Sequence, residues 1–272
     1  MSETQDTVRR TLWRDGCAVS GTRVLAEETA VAISYNGSTH AVLMATPADL
    51  EDLAIGFSLT EGILDDISAI EGIEVVSYDR GLDVQVRVTE AIADRLAKRR
   101  RSMAGPVGCG MCGLESLDAA TRDLPPVAAG ACFTSADIAR AATSLEAFQP
   151  LNRETGATHA AGFFMPGRGV SAAREDVGRH NALDKLIGHL LRNGIAPSPG
   201  AFVVTSRVSV ELVQKSVVAG CGLLAAISAP TALAVRTAEA ARLTLAAVVR
   251  GRSFEVFTHP HRVSQGAVAD VA

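Results

Sequence analysis

Cys109 and Cys112 stand two residues apart in "RSMAGPVGCGMCGLES", residues 101–116, with glycine on every side. Three chemistries use a Cys-x-x-Cys pair: metal binding, disulfide exchange and carriage of a sulfur atom. A structural zinc normally takes four Cys or His ligands. Cys17, Cys132 and Cys221 are isolated and no His-x-x-x-His spacing follows, so no metal site is expected within one chain, although a dimer could share one. The zinc deaminase signature is also absent. Thioredoxin-type exchange sets its pair after a strand, at a helix start. Here a basic helix and a glycine-rich stretch come first, so exchange stays open but ranks second. Sulfur carriage fits the surroundings better. The reactive form is the thiolate, which nearby cations and a helix N-terminus favour. Arg99, Arg100 and Arg101 lie just upstream, and a short helix is expected from about Leu114 to Leu124. The glycines would let a thiol move between a donor and an acceptor. Cys109 would hold the persulfide and Cys112 would help to release it. The plain alternative is a loop whose thiols are incidental.

A second set of candidates follows three expected strands: Thr205-Ser206-Arg207, Ser228-Ala229-Pro230-Thr231 and Arg250-Gly251-Arg252. In open α/β sheets ligands sit beyond the carboxyl ends of the parallel strands. Two of these ends lead into helix N-termini, where free N–H groups beside guanidinium groups favour an anion such as phosphate or pyrophosphate. Any one end reads best as a helix cap with a solvated arginine, but three adjacent ends read as a binding site. Neither common nucleotide loop is present. The densest polar stretch is "REDVGRHNALDK", residues 174–185, where Glu175, Asp176, Arg179, His180, Asn181 and Asp184 crowd a helix start. The plain account makes Asn181 the cap and the rest surface charge. Yet Arg179 and His180 could face the same cleft, and a histidine there could donate to a phosphate or move a proton near neutral pH. His159 in "TGATHAAG" is a weaker candidate.

The elements that must position these residues fall into two halves. "ETAVAISY" and "STHAVLMAT" flank Asn36-Gly37, a type I′ hairpin signal. A helix follows, with Thr46 as cap, Pro47 in its first position and Gly62 as its stop. "IEVVSYD" and "LDVQVRVTE" form a second strand pair, and a basic helix runs from residue 90. "PPVAAGA", residues 125–131, reads as a linker. The division is therefore expected at 1–130 and 131–272. Thr134 and Asp137 open a helix to about Phe148. Strands cover 158–165 and 169–176, and a strong helix covers 181–191. From 201 to 249 the pattern is β-α-β-α-β. These strands are continuous apolar runs, so helices should cover both sheet faces and the strands should be parallel. The fold class is α/β, with a smaller N-terminal α+β domain.

With 272 residues, 47% hydrophobic and 21% charged, the chain can bury a substantial core. A net charge of −4 argues against nucleic acid as partner. The first residues carry acids and no apolar run, unlike a signal peptide. The uncharged stretch 217–235 is long enough for a bilayer, but Gly220, Gly222, Ser228 and Pro230 should divide it into helix end, strand and helix start. No membrane partner is expected. Five cysteines in so large a chain read as thiols in a reducing cytoplasm.

"CGMCG", "REDVGRHNALDKLIG", "SRVSVELVQK", "AISAPTALAV" and "LTLAAVVRGRSFEVFTHP" together resemble the FdhD family of formate dehydrogenase accessory sulfurtransferases. So does "YNGSTHAVLMATPADLEDLAIGFSLTEGIL", and the likeness runs over about residues 25–262. The resemblance implies a C-terminal cytidine-deaminase-like α/β/α sandwich with a mostly parallel sheet, and a homodimer. It implies that a cysteine desulfurase passes persulfide sulfur to Cys109, with Cys112 as helper. The acceptor would be the molybdenum or tungsten bis(guanine dinucleotide) cofactor of formate dehydrogenase, bound as substrate, with no permanently bound cofactor and no metal site. Val248, Val249, Arg250, Gly251, Arg252 and Ser253 match the segment assigned to binding that cofactor. Arg250-Gly251-Arg252 and "TGATHAA" depart from the usual family pattern. The alternative is a chaperone that binds the cofactor without moving sulfur, and a thiol–disulfide switch is the third reading.

Overall fold

The computed structural model describes residues 3–103, 124–128 and 130–265, with residues 98–103 described by backbone alone. The chain opens with a two-stranded ribbon, β1 (Gln5–Arg14) and β2 (Cys17–Ala26), paired along its whole length. No feature of the sequence predicts it. Most residues on both faces of the ribbon are exposed, so no alternation of polar and apolar residues marks it.

β3 (Thr29–Tyr35) and β4 (Ser38–Ala45) form the expected hairpin. Asn36 and Gly37 have φ of 45° and 78°, the pair of positive values that a type I′ turn needs. β5 (Ile70–Tyr78) and β6 (Gly81–Val88) complete a sheet of order β4-β3-β6-β5. Its inner face carries Val31, Ile33, Tyr35, Val84 and Val86 against Leu53 and Phe57 of α1 (Leu50–Thr60). The start of α1 differs from expectation. Asp49, with φ of 51°, precedes the helix, and no side chain caps it. Thr46 instead reaches the second half of the chain, where its hydroxyl accepts from the Val177 N–H at 3.1 Å. Helix α2 spans Glu90–Met103.

The second half is a three-layer sandwich. β8 (His159–Met165), β9 (Gly169–Asp176), β10 (Ala201–Val204), β11 (Leu223–Ala226), β12 (Thr244–Arg250) and β13 (Ser253–Thr258) make one sheet of order β13-β12-β11-β10-β8-β9. A short parallel pair, β7 (Phe133–Thr134) and β14 (Val263–Ser264), lies beside it. Alternate residues face opposite ways. Phe202, Val204, Leu224 and Ala226 pack under α5 (Arg179–Arg192), α6 (Val210–Val218) and α7 (Ala232–Ala240). Val203, Leu223 and Ala225 pack with Ile138, Ala141 and Leu145 of α3 (Ser135–Leu145) on the other face. Helices on both sides are what the continuous apolar strands required. Thr134 and Asp137 form the capping box of α3, and the short helix α4 (Pro150–Thr155) follows it.

β10, β11 and β12 are parallel neighbours, as expected. β8 and β13 run the other way, because each belongs to a tight hairpin. Four strands thus share one direction, but only two of the five neighbouring pairs are parallel, so the sheet is mixed. The 217–235 stretch divides at Gly220 into the end of α6, then β11, then the start of α7. Among the described residues no helix is long and apolar enough to cross a membrane.

The two halves meet where α1 crosses α5. A Cβ on Gly56 would lie 1.9 Å from the Asp184 carbonyl oxygen, and one on Gly188 would lie 1.9 Å from that of Asp52. The helix backbones are therefore in direct contact. Gly56→Ala or Gly188→Ala should destabilise the protein by about 1–3 kcal/mol or more, because neither backbone can yield. Gly21→Ala, where nothing lies within 4 Å, should leave the denaturation midpoint almost unchanged. Urea unfolding followed by circular dichroism compares the three variants, and equal midpoints would contradict the close contact.

Candidate anion-binding site

The strand ends predicted to hold a ligand lie side by side. Thr205, just past β10, donates its N–H to the Ala160 carbonyl at 3.1 Å and accepts the Ala160 N–H on its hydroxyl at 3.0 Å. Ile227, just past β11, donates to Val204, and Val248 in β12 donates to the Ser228 carbonyl at 3.3 Å. Arg250 donates to the carbonyls of Ile227 and Val249. Val248 has φ of 55°, a left-handed conformation that is an outlier for a β-branched residue. It sits where the β12–β13 register shifts. The Gly251-Arg252 turn follows, with Arg252 and Ser253 exposed.

The predicted residues do not all present a side chain to this end. Val249 is 3% exposed and belongs to the core on the α3 face, which leaves only its backbone available. Thr231 is the ordinary cap of α7, accepting from the Ala234 N–H at 3.2 Å. Ser206 is buried and donates to the Arg207 carbonyl at 3.0 Å, while Arg207 is exposed.

Arg179 and His180 open α5 on the neighbouring side. Gly178 precedes the helix, and no side chain caps it. The Arg179 Nε is buried without a hydrogen-bond partner. His180 Nε2 lies 3.1 Å from the Ser209 hydroxyl and 3.8 Å from the Glu211 carboxylate. Burial, then Arg179, pulls the His180 pKa down against the attraction of Glu211. Burial followed by Arg179 and Arg207 does the same to His159. Both guanidinium groups therefore act on one imidazole at this end of the sheet. An unpartnered guanidinium N–H with a second arginine acting on the same imidazole is suited to an anion.

The rest of "REDVGRHNALDK" is not surface charge: the Glu175 carboxylate accepts from the Leu151 and Asn152 N–H groups at 2.9 and 2.7 Å, in the first turn of the helix Pro150–Thr155. The Asp176 carboxylate accepts from the Gly178 N–H at 2.7 Å, Asn181 Nδ2 at 3.0 Å, Lys185 Nζ at 2.6 Å and the Thr46 N–H at 3.0 Å. Lys185 and Asp176 are fully buried. Asn181 also donates to the Met44 carbonyl at 2.8 Å, so it ties the two halves together rather than capping α5. Lys215 donates to Asp184, Glu61 and Thr60, each at 2.9 Å. Burial pulls its ammonium down, but the two carboxylates outweigh burial and the net direction is up. These charges hold the turn that presents Arg179 and His180.

Sequence reasoning missed a cleft of about 420 Å³ next to this site, lined by residues that include Ala142, Glu146, Gln149, Asn152, His159 and Thr205. Its polar residues are scattered over two helix ends, so no spacing reveals it. Cys109 and Cys112 lie outside the described residues. Of the cysteines described, Cys17 and Cys132 are exposed. Cys221 is buried, which pushes its thiol up to about 12 and leaves it unreactive.

The FdhD/NarQ family profile matches residues 26–264. The chain belongs to the FdhD/NarQ family. Family members named sulfur carrier protein FdhD include one from Agrobacterium fabrum, 55% identical over 257 residues, which covers 94% of this chain and 95% of the relative. Another, from Brucella abortus, is 56% identical over 242 residues, covering 89% of this chain and 90% of the relative. The crystal structure of a protein from Desulfotalea psychrophila, described as a formate dehydrogenase accessory protein, superposes with a TM-score of 0.76 at 25% identity. It covers 96% of this chain and all of the other. The family match begins at residue 26 and so takes in only the last residue of β2.

Two measurements test this site in the FdhD-family chain. Asp176→Ala removes the carboxylate from a fully buried Lys185 and should cost about 3–5 kcal/mol in urea unfolding. An unchanged midpoint would rule out the burial described. The second concerns pH. His159, His180 and His189 all have folded pKa values below 6.5. The unfolded chain therefore takes up protons first as pH falls through about 6.5, and stability should drop with it. Above that pH these histidines contribute no slope. His159→Gln should flatten the dependence between about pH 5 and 6.5, read as thermal midpoint against pH.

Proposed function

We propose that this chain is a sulfur carrier in the maturation of formate dehydrogenase. In this reading a cysteine desulfurase passes sulfur to Cys109. The Cys109 thiolate attacks the donor's persulfide, one S–S bond breaks, another forms, and no net oxidation occurs. Cys112 then attacks the inner sulfur of the Cys109 persulfide. The Cys109–Cys112 disulfide forms and hydrosulfide leaves toward the metal of a molybdenum or tungsten bis(guanine dinucleotide) substrate. The two thiols supply the two electrons that reduce the transferred sulfur, and a dithiol reductant resets the pair. The substrate's pyrophosphates would meet Arg179, His180, Arg207 and the Ser228 strand end, and its remainder the Val248–Ser253 segment. The carrier would act in the cytoplasm, where thiols stay reduced, as a homodimer.

The observation that carries this reading is the near-full-length similarity to relatives named sulfur carrier proteins. The unpartnered Arg179 Nε beside Arg207 supports the anionic substrate. The test is mass spectrometry after incubation with a desulfurase and cysteine, read together with activation of formate dehydrogenase. Cys109 should gain one sulfur atom. Cys109→Ala should abolish activation while the protein still binds the nucleotide portion of the substrate. Arg179→Ala and Arg250→Ala should weaken that binding without blocking sulfur loading. Full activation by both cysteine variants would favour the chaperone alternative and overturn sulfur transfer.

A further inference from the structure

The N-terminal sheet buries one face under α1 and leaves the other open. Residues paired across neighbouring strands share a face, so the registers give the open side row by row. Val42, Ala32, Asp83 and Val76 make one row, and Met44, Ala30, Gly81 and Tyr78 make the next. A face left to water normally carries polar residues, yet Val42, Met44 and Tyr78 are 62%, 50% and 60% exposed. In these rows the two middle strands contribute only small residues apart from Asp83. Gly81 has no room for a side chain, since a Cβ there would lie 2.3 Å from the Ala30 carbonyl oxygen. The result is a groove of about 390 Å³, floored by Ala30, Ala32 and Gly81 and walled by Val42 and Tyr78. Its walls stand three strand spacings apart, about 14 Å, and an α-helix with its side chains is about 10–12 Å across. One charge interrupts the floor. Asp83 accepts from Gln85 Nε2 at 3.1 Å through Oδ2, while its Oδ1 is buried without a hydrogen-bond partner. Among the described residues no cation pairs with Asp83, although Arg80 stands at the rim of the groove.

We propose that this groove docks one amphipathic helix of the formate dehydrogenase apoprotein, with a lysine or arginine of that helix seated on Asp83. The apolar walls bury the apolar stripe of the helix, and its cation meets the carboxylate oxygen that folding leaves without a donor. An apolar face with one buried anion rejects an acidic helix and leaves a purely apolar one with an unpaired charge beneath it. The position of the groove points to the enzyme that accepts the substrate. The Met44 carbonyl, at one end of the groove, accepts from Asn181 Nδ2 at 2.8 Å, in the first turn of α5 that also carries Arg179 and His180. An enzyme held here stands beside the cations proposed to hold its substrate. The inference rests on the sulfur-carrier reading, which names that enzyme, and adds where it is held.

The experiment uses the full chain and purified formate dehydrogenase apoprotein. Val42→Lys and Asp83→Lys set a cation where the partner's would sit, and circular dichroism checks that both fold. Each should load sulfur on Cys109 and bind inorganic pyrophosphate as the wild type does, while activation of the enzyme falls roughly 10-fold or more. A helical peptide of about 14 residues, with one lysine among leucines, serves as a second probe. It should bind the wild-type chain roughly 10- to 100-fold more tightly than the same peptide with norleucine in place of lysine, the range of one hydrogen bond to a charged group. Asp83→Asn should erase that preference. Wild-type activation by both lysine variants overturns the proposal, as does equal binding of the two peptides. Impaired Cys109 loading in the variants would put the sulfur donor on this face. Dimers that sediment in the wild type and dissociate in the variants would put a second copy there. Either result overturns the proposal, and in all four the sulfur-carrier reading survives. A wild-type chain that neither loads sulfur nor activates the enzyme overturns both.

Discussion

The contact between α1 and α5 governs what the rest of the structure can do. Gly56 and Gly188 bring two helix backbones together with no side chain between them. Packing that tight leaves few low-energy alternatives, because any displaced backbone opens a void or meets a clash. Charges bracket it. Arg174 reaches Asp52 at 2.8 Å at one end, and Lys215 with Asp184 and Thr60 closes the other. Residue pairs 51–192, 52–188 and 60–184 show that the helices run antiparallel. Since α5 starts with Arg179 and His180, the N-terminal sheet and its helix fix the angle at which the sandwich presents its cations.

Buried ion pairs in this position cost desolvation, and apolar replacements often do as well or better for stability alone. Their value here is geometric. Asp176 gathers donors from Thr46, Gly178, Asn181 and Lys185 on one carboxylate. That single group joins the strand end, the first turn of α5 and the N-terminal half. A hydrophobic residue could fill the space but could not specify the direction of each of those groups. The same arrangement explains how a chain of net charge −4 keeps a cationic patch: many of the acids near α5 are turned inward and paired.

The parts legible in the sequence were those governed by local rules. Asn36-Gly37 announced its turn, Thr134 and Asp137 their capping box, and the apolar run 201–204 a strand covered on both faces. That the three strand ends lie together was legible because topology alone gathers the loops after β10, β11 and β12. What the sequence hid depends on partners distant in the chain. Thr46 looked like a cap because Pro47 follows it, but Asp176 and Val177 claim it from 130 and 131 residues away. Asn181 looked like a cap for the same local reason and serves Met44 instead. The ribbon of β1 and β2 had no buried face to mark it.

The strain at Val248 is consistent with these divisions of labour. A valine with φ of 55° costs on the order of 1–3 kcal/mol, and glycine would adopt the same backbone freely. Its conformation accompanies the register shift that carries β12 into the Arg250 turn, and Arg250 is then held by the Ile227 and Val249 carbonyls. The arginine is thus fixed by backbone at a strand end rather than by a carboxylate that would neutralise it. Arg179, whose Nε is left without a partner, follows the same logic. Arginines held by backbone carbonyls or left with a free N–H keep a donor for an incoming anion, with Glu211 offsetting part of the charge of Arg179.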